Sequence, residues 1–379
     1  MDNYVKGCIA FVFFVIPLFL LTQSIGIDKD SFNYWMDTHW LFNYEHGFIK
    51  RGLIGELFRQ VGHDLTKSSL SVAQTATIIA VSAGFLALLT WFVLKSYRAG
   101  EAWHNATIFA VGFMIATAPG ALQQLQFQIG RFDAFGLAIL CAVFAITRRS
   151  TSPFSLALVT GALVLAILIH EAHFFWVVPL SLWLWFFHGD ATKSRTVPLL
   201  VISIVTLGAV LIAGTSSYSD YIAFADIKTE LSQRSDIPIK DGSLRVQFRS
   251  LDDNVTLSAK HNFTFRSIVS FMLGLASLIP YVALLLLAVT AHDRKKSSWA
   301  LLAACAPLLL VVAGYDQGRW VAMANVSLCL VVIAALSNVR IMPRQAMVLL
   351  PLAVLASLCQ IFLGPTGDVL SYPYIMRFI

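Results

Sequence analysis

Charge is what this sequence is short of. Asp, Glu, Lys and Arg make up 13% of its 379 residues, about half the share of a soluble globular domain. With 58% hydrophobic residues and a mean hydropathy of +0.74, that shortage excludes a soluble enzyme. The alternating apolar and polar pattern of a membrane β-barrel is also missing. So is a disulfide framework or thiolate metal cluster. The five cysteines (Cys8, Cys141, Cys305, Cys329 and Cys359) all fall inside apolar runs and read as small core hydrophobes. No small-x-small cleavage site follows the first apolar run; TQSIGIDKD comes after Leu21, which predicts a retained span.

What is present is a series of apolar runs of roughly 17 to 25 residues broken by short polar stretches, the mark of a polytopic helical membrane protein. In lipid every backbone N–H and C=O must be satisfied within its own segment, so the expected class is all-α. About eleven transmembrane helices are predicted, near 7–23, 70–94, 103–119, 132–147, 153–169, 174–187, 196–214, 267–291, 299–313, 320–337 and 345–363. Alternate connections are basic: Lys95/Arg98, Arg148/Arg149, Lys193/Arg195, Arg294/Lys295/Lys296 and Arg340/Arg344. With Lys6, that side carries 12 Lys and Arg against four acids, and the other side the remaining 15 basic and 17 acidic residues. The bias places the amino terminus in the cytoplasm and the carboxyl terminus outside. The net charge of +6 is then a topogenic signal spread over short segments, with no nucleic-acid partner implied.

The chain 1–379 reads as a single membrane domain whose outer side carries two long connections. The first, 24–69, is expected to hold amphipathic helices. The second, 215–266, has seven basic and seven acidic residues. It is too long for a structureless loop and reads as partly folded, in the manner of a lid.

Four polar clusters interrupt the apolar runs, and the topology puts all four on the outer side: DTHWLFNYEHGFIKRGLIGE (37–56), QIGRFD (128–133), IHEAHFF (169–175) and GYDQGRW (314–320). Their agreement points to one shared cavity at the outer boundary. In the first, His46, Lys50 and Arg51 precede glycines that would let backbone approach an anion, so the pattern suits phosphate binding. Snorkelling of the two cations to the interface is the alternative. Asp37 and Glu45, with Asp28 and Asp30, are candidate general bases or metal ligands, which leaves a divalent cation open and no cofactor certain. In the second cluster, Arg131 and Asp133 stand at the threshold of a span, where an ionisable residue is costly and points to function. Their alternative is an ion pair that only fixes packing. The third cluster turns a tight hairpin, with His170 and His173 as binding or base candidates and Glu171 as an acid/base group or a hairpin cap. Its HExH spacing is not the HExxH of zinc proteases. In the fourth, Asp316 and Arg319 either serve a substrate or pair locally.

Taken in order, GFIKRGLIGE, GRFD, HEAHFF and DQGRW resemble the multi-pass inner-membrane proteins of bacterial surface-polysaccharide clusters. The chain is similar in character to C-superfamily glycosyltransferases, which use polyprenyl-linked donors, and to Wzy-type polysaccharide polymerases. That resemblance implies transfer of saccharide from a polyprenyl phosphate or pyrophosphate to an acceptor hydroxyl on a glycan or glycolipid, at the periplasmic face of the inner membrane. Asp37 or Glu45 would take the part of the first-loop acid, and Arg51, Arg131 and Arg319 would hold the pyrophosphate. A flippase for such lipids and a membrane acyltransferase with a histidine base are the alternatives.

Overall fold

The computed structural model describes every residue except 1–2, 28–33, 46, 63–64, 119, 122–128, 189–192, 222–223, 250, 290–293, 315, 338, 359–361, 364–368 and 371–379. The architecture is all-α. The chain opens with α1 (Asn3–Ala10), a π turn (Phe11–Val15) and α2 (Ile16–Ile27). Pro17 explains the π turn. Proline lacks an N–H and its ring crowds the carbonyl four residues back, so the ladder widens just before it and Ile16 N–H donates to Phe11 O.

The first long connection carries α3 (Tyr34–Trp40) and α4 (Leu53–Gln60). Then come α5 (Lys67–Ser96), α6 (Ala102–Ala116), α7 (Asp133–Arg149), α8 (Pro153–Ile169) and α9 (His173–His188). α10 (Lys193–Tyr221) leads into three short polar helices, α11 (Phe224–Arg234), α12 (Asp241–Phe248) and α13 (Leu251–Asn262). α14 (Phe265–Val289) and α15 (Arg294–Cys305) follow, the latter tightening at Pro307 into a 3-10 helix (Ala306–Val312). The last helices are α16 (Gln317–Leu336) and α17 (Pro343–Leu358). Two-residue strands, β1 (Phe362–Leu363) and β2 (Val369–Leu370), pair antiparallel after them.

The expected spans fall on these helices, 7–23 across α1, the π turn and α2 and 299–313 across α15 and the 3-10 helix, with two corrections. The run 103–119 is helical only to Ala116, with Thr117 closing the helix. The run 345–363 leaves the helix at Leu358 and finishes in β1. Among the described residues, four helices are long and apolar enough to cross a membrane, at Asn3–Thr22, Lys67–Ser96, Phe265–Leu287 and Gln317–Leu336. Six shorter apolar helices accompany them.

The chain divides into two compact units. The first comprises 1–24, 82–126 and 255–379, the second 25–81 and 127–254. In the first, α16 is buried along its whole length among α14, α15 and the 3-10 helix, and α6 packs on α17. His104 ties three segments together there: its Nε2 lies 2.7 Å from Ser96 O, and Ile341 N–H donates to its Nδ1 at 3.1 Å.

In the second unit α7, α8 and α9 pack on one another and α10 covers α8 and α9. Ser152 caps α8 by accepting from Ser155 N–H, with Pro153 in the first turn. α4 rests on α8, and α12 lies on α3 and α10. The 215–266 segment is helical in its α11–α13 part, and its polar groups bond the first connection. Asp236 Oδ1 accepts from Lys67 N–H at the start of α5 (2.6 Å), Ser243 Oγ donates to Trp35 O (2.7 Å), and Lys240 N–H donates to Thr38 Oγ1 (3.2 Å).

Candidate functional site

The hairpin between α8 and α9 reverses in three residues, and its histidines close it. His170 Nδ1 accepts from Ala172 N–H at 3.1 Å, and His173 Nδ1 lies 2.9 Å from Ala166 O, which also accepts from His170 N–H at 3.0 Å. Both rings are buried. The hairpin is therefore capped by the neighbours of Glu171. Glu171 reaches instead across 120 residues of sequence to Arg51, which grips it with two hydrogen bonds, one from Nε to Oε2 at 3.1 Å and one from Nη2 to Oε1.

Arg51 is held to make that grip. Its φ is +64°, the left-handed region, and it is the single non-glycine residue with positive φ among those described. A side chain in that region costs on the order of 1–2 kcal/mol, so something must hold it there. The paired fork of hydrogen bonds is one restraint; the packing of the glycines that follow is another. A Cβ on Gly52 would strike Ile49 and Tyr44 at 2.6–2.7 Å, and one on Gly55 would strike Trp40 O at 2.6 Å and Phe42 O closer still. This corrects one expectation: the space beside these glycines is filled by the protein's own backbone and rings, so they dock α4 and do not admit an anion. Glu56 completes the anchorage by accepting from Tyr44 N–H at 3.1 Å. Its carboxyl is held down to about 2 by hydrogen bonds from Arg59, against partial burial, with Gln60 and Tyr44 N–H adding to the effect.

Around the Arg51–Glu171 pair lies a buried polar cluster. Burial acts to raise the Glu171 carboxyl, but the Arg51 guanidinium overcomes it and holds the group well below the ordinary carboxylate range; protonation of His170 would act the same way. Lys50 is 6% exposed, and no partner hydrogen-bonds or ion-pairs with it among the described residues. Burial pushes its ammonium down, opposed by Glu171 and reinforced by Arg51. His39, which sequence reasoning did not single out, belongs to the same cluster. Burial first, and then the charges of Arg51, His170 and Arg131 against that of Glu171, push its imidazole well below the usual value, so the ring is neutral. Arg131 is thereby brought into the cluster, and Asp133, buried, opens α7 two residues further on.

Asp37 sits one turn before Trp40 on α3, 3% exposed, and accepts from Gln74 Nε2 at 2.9 Å. Burial pushes its carboxyl up, with the Gln74 bond and the Lys67 charge opposing. Gln74 in turn lies against Gly130, whose carbonyl accepts from Trp40 Nε1 at 2.6 Å. These contacts tie Asp37 to the turn that carries Arg131.

Other expected site residues are placed differently. Glu45 is half exposed and pairs with Arg234 of α11 at 3.3 Å. Asp316 and Arg319 belong to the first unit, where the two are 3.7 Å apart and the guanidinium lies 4.9 Å from the Trp320 ring. His46, Asp28 and Asp30 lie outside the described residues. Among the described residues no three His, Cys, Asp or Glu side chains group as a metal site. A small cleft between Leu41, Gly55, Phe58, Arg59, Leu65, Leu231 and Arg234 opens beside α4 and includes none of the cluster.

Fold and composition define the chain as a membrane protein built from apolar helices. A family model described as Uncharacterised membrane protein Rv1490 matches residues 4–186, just short of half the chain and including Asp37, His39, Arg51, Arg131 and Glu171. No curated protein and no solved structure matches.

Proposed function

We propose that this protein is a membrane-embedded transferase that moves saccharide from a polyprenyl-phosphate or polyprenyl-pyrophosphate donor to a hydroxyl of a glycan or glycolipid, at the outer face of a bacterial inner membrane. Eleven of its helices cross the bilayer, with the amino terminus in the cytoplasm. The lipid tail stays in the bilayer while Lys50, Arg51 and Arg131 hold the phosphate-bearing headgroup. Glu171 positions Arg51; a carboxylate so strongly stabilised in its charged form is a poor proton acceptor. Asp37, whose burial favours the protonated form, is the better base. It takes the proton of the acceptor hydroxyl as that oxygen bonds to the anomeric carbon and the sugar–phosphate bond breaks, leaving the phosphate on the lipid. The α11–α12 segment covers this site as a lid. Asp316 and Arg319 are accounted for by their local pair and the Trp320 ring.

The observation that carries this reading is the strained Arg51, fixed by Glu171 in a buried cluster where Lys50 has no ion-pair partner among the described residues. Such a cluster is costly to build and suits an anionic group arriving from outside. The test is the size distribution of surface polysaccharide in a deletion strain complemented with Arg51→Lys or Asp37→Asn. Each variant should reach the membrane normally and leave saccharide unextended. Wild-type chain lengths from both would refute the proposal, and lipid-linked saccharide of unchanged length that fails to appear outside would indicate a flippase.

A further inference from the structure

His39 is not explained by packing alone. It is 6% exposed, with Trp35 set edge-on at 4.6 Å between centroids and Phe42 at 5.7 Å. Its Nδ1 lies 3.4 Å from Gln247 Nε2 on α12. An amide nitrogen only donates, so Nδ1 accepts and the proton of the neutral ring is on Nε2. That Nε2 is buried and has no hydrogen-bond partner among the described residues. Leaving a buried donor unmatched costs on the order of 1–3 kcal/mol; of the groups acting on this ring, Arg51 and Arg131 cannot accept a hydrogen bond, and both Glu171 oxygens are engaged by Arg51.

We infer that His39 Nε2–H is a ligand-binding donor, made to meet an oxygen of a phosphate or pyrophosphate group seated among Lys50, Arg51 and Arg131, with Gln247 fixing the tautomer. The inference rests on the transferase reading for its ligand class, and it adds the neutral donor that completes the cationic site. It also gives α12 a direct part in binding: the lid segment sets the donor's tautomer and so links its closure to headgroup capture.

The experiment measures binding to full-length protein in lipid nanodiscs, with inorganic pyrophosphate and farnesyl phosphate as separate probes. Wild-type protein should bind, and Arg51→Ala should not. His39→Phe, which keeps the ring packing but has no donor, should bind about 10- to 100-fold more weakly, the range for a hydrogen bond to a charged group. His39→Gln, whose amide can stand in for the lost N–H, should recover most of that loss. Unchanged affinity in His39→Phe would overturn the role of His39 and leave the transferase reading standing, whereas wild-type protein that binds neither probe would overturn both. Much tighter binding of farnesyl phosphate than of pyrophosphate assigns the site to a lipid headgroup; equal binding assigns it to a free anion. Should His39→Phe fail to fold, 15N-histidine spectra of wild-type protein carry the test. Saturating probe must shift the Nε2 resonance that is missing from His39→Gln, and no shift would overturn the inference.

Discussion

Exchanging Glu171 for glutamine removes one negative charge from a site where Arg51 and Lys50 are largely buried. The side chains of Arg51 and Glu171 are 13% and 20% exposed, so solvent screens their interaction only in part. Breaking such a pair by removing one partner costs about 3–5 kcal/mol, chiefly because the other charge stays buried and unmatched. For a chain this long, that corresponds to a fall in Tm of about 4–6 °C, read by intrinsic tryptophan fluorescence on purified protein. The pH dependence gives an independent check. The folded-state carboxyl is depressed, so its stabilisation is fully present above the unfolded value of about 4.3 and is lost as pH falls through the folded value. Wild type and Glu171→Gln should therefore converge in stability as the solution is acidified. In the double variant Arg51→Met/Glu171→Leu the losses should be far from additive, since the second change removes the charge that the first exposed. Equal stability of Glu171→Gln and wild type at neutral pH would show that the carboxylate is a dispensable turn residue, and would take away the restraint invoked for Arg51.

Asp37→Asn should inactivate the protein and stabilise it at once. Its folded-state carboxyl is raised, so its contribution is favourable below the unfolded value of about 3.9 and is lost as pH rises through the folded value. Asparagine can still accept from Gln74, so Tm should rise at neutral pH while polysaccharide extension stops; a fall in Tm would contradict the reasoning. Arg51→Gly should be more stable than Arg51→Ala by about 1 kcal/mol, because glycine adopts φ of +64° without penalty; a thermal melt that ranks them the other way would refute backbone strain there. Gly55→Ala should undock α4, since its Cβ would meet the Trp40 and Phe42 carbonyls. The expected readout is faster proteolysis between residues 41 and 66 with a loss of more than about 2 kcal/mol. His104→Ala should cost about 1–3 kcal/mol by orphaning Ser96 O and Ile341 N–H, seen as a lower Tm.

The helices were legible because their signal is local. Runs of apolar residues at about 1.5 Å rise per residue state their own length, and Ser152-Pro153 marks a helix start by chemistry that needs no distant partner. Motif GLIGE misled on its glycines for the opposite reason. Glycine permits close approach, but what approaches Gly55 is the carbonyl of Phe42, a choice made by the docking of α4 on the end of α3 and the turn after it. His39 shows the same limit: in the sequence it is one polar residue in an aromatic stretch, and only the arrival of Gln247 from 208 residues away gives its proton a fixed nitrogen.

By itself the sequence determined that this chain belongs in lipid, that it is helical, and where most helices begin and end, since backbone satisfaction and hydrophobic length are properties of contiguous residues. It also drew attention to Arg51, Arg131 and Glu171 as ionisable groups in apolar company. Only the tertiary structure decided that Arg51 pairs with Glu171, that the neighbouring histidines cap the hairpin, and that Asp37 and Glu171 are pushed in opposite directions. Burial and charge–charge distance are relations between segments far apart in the chain, and no stretch of residues carries them alone.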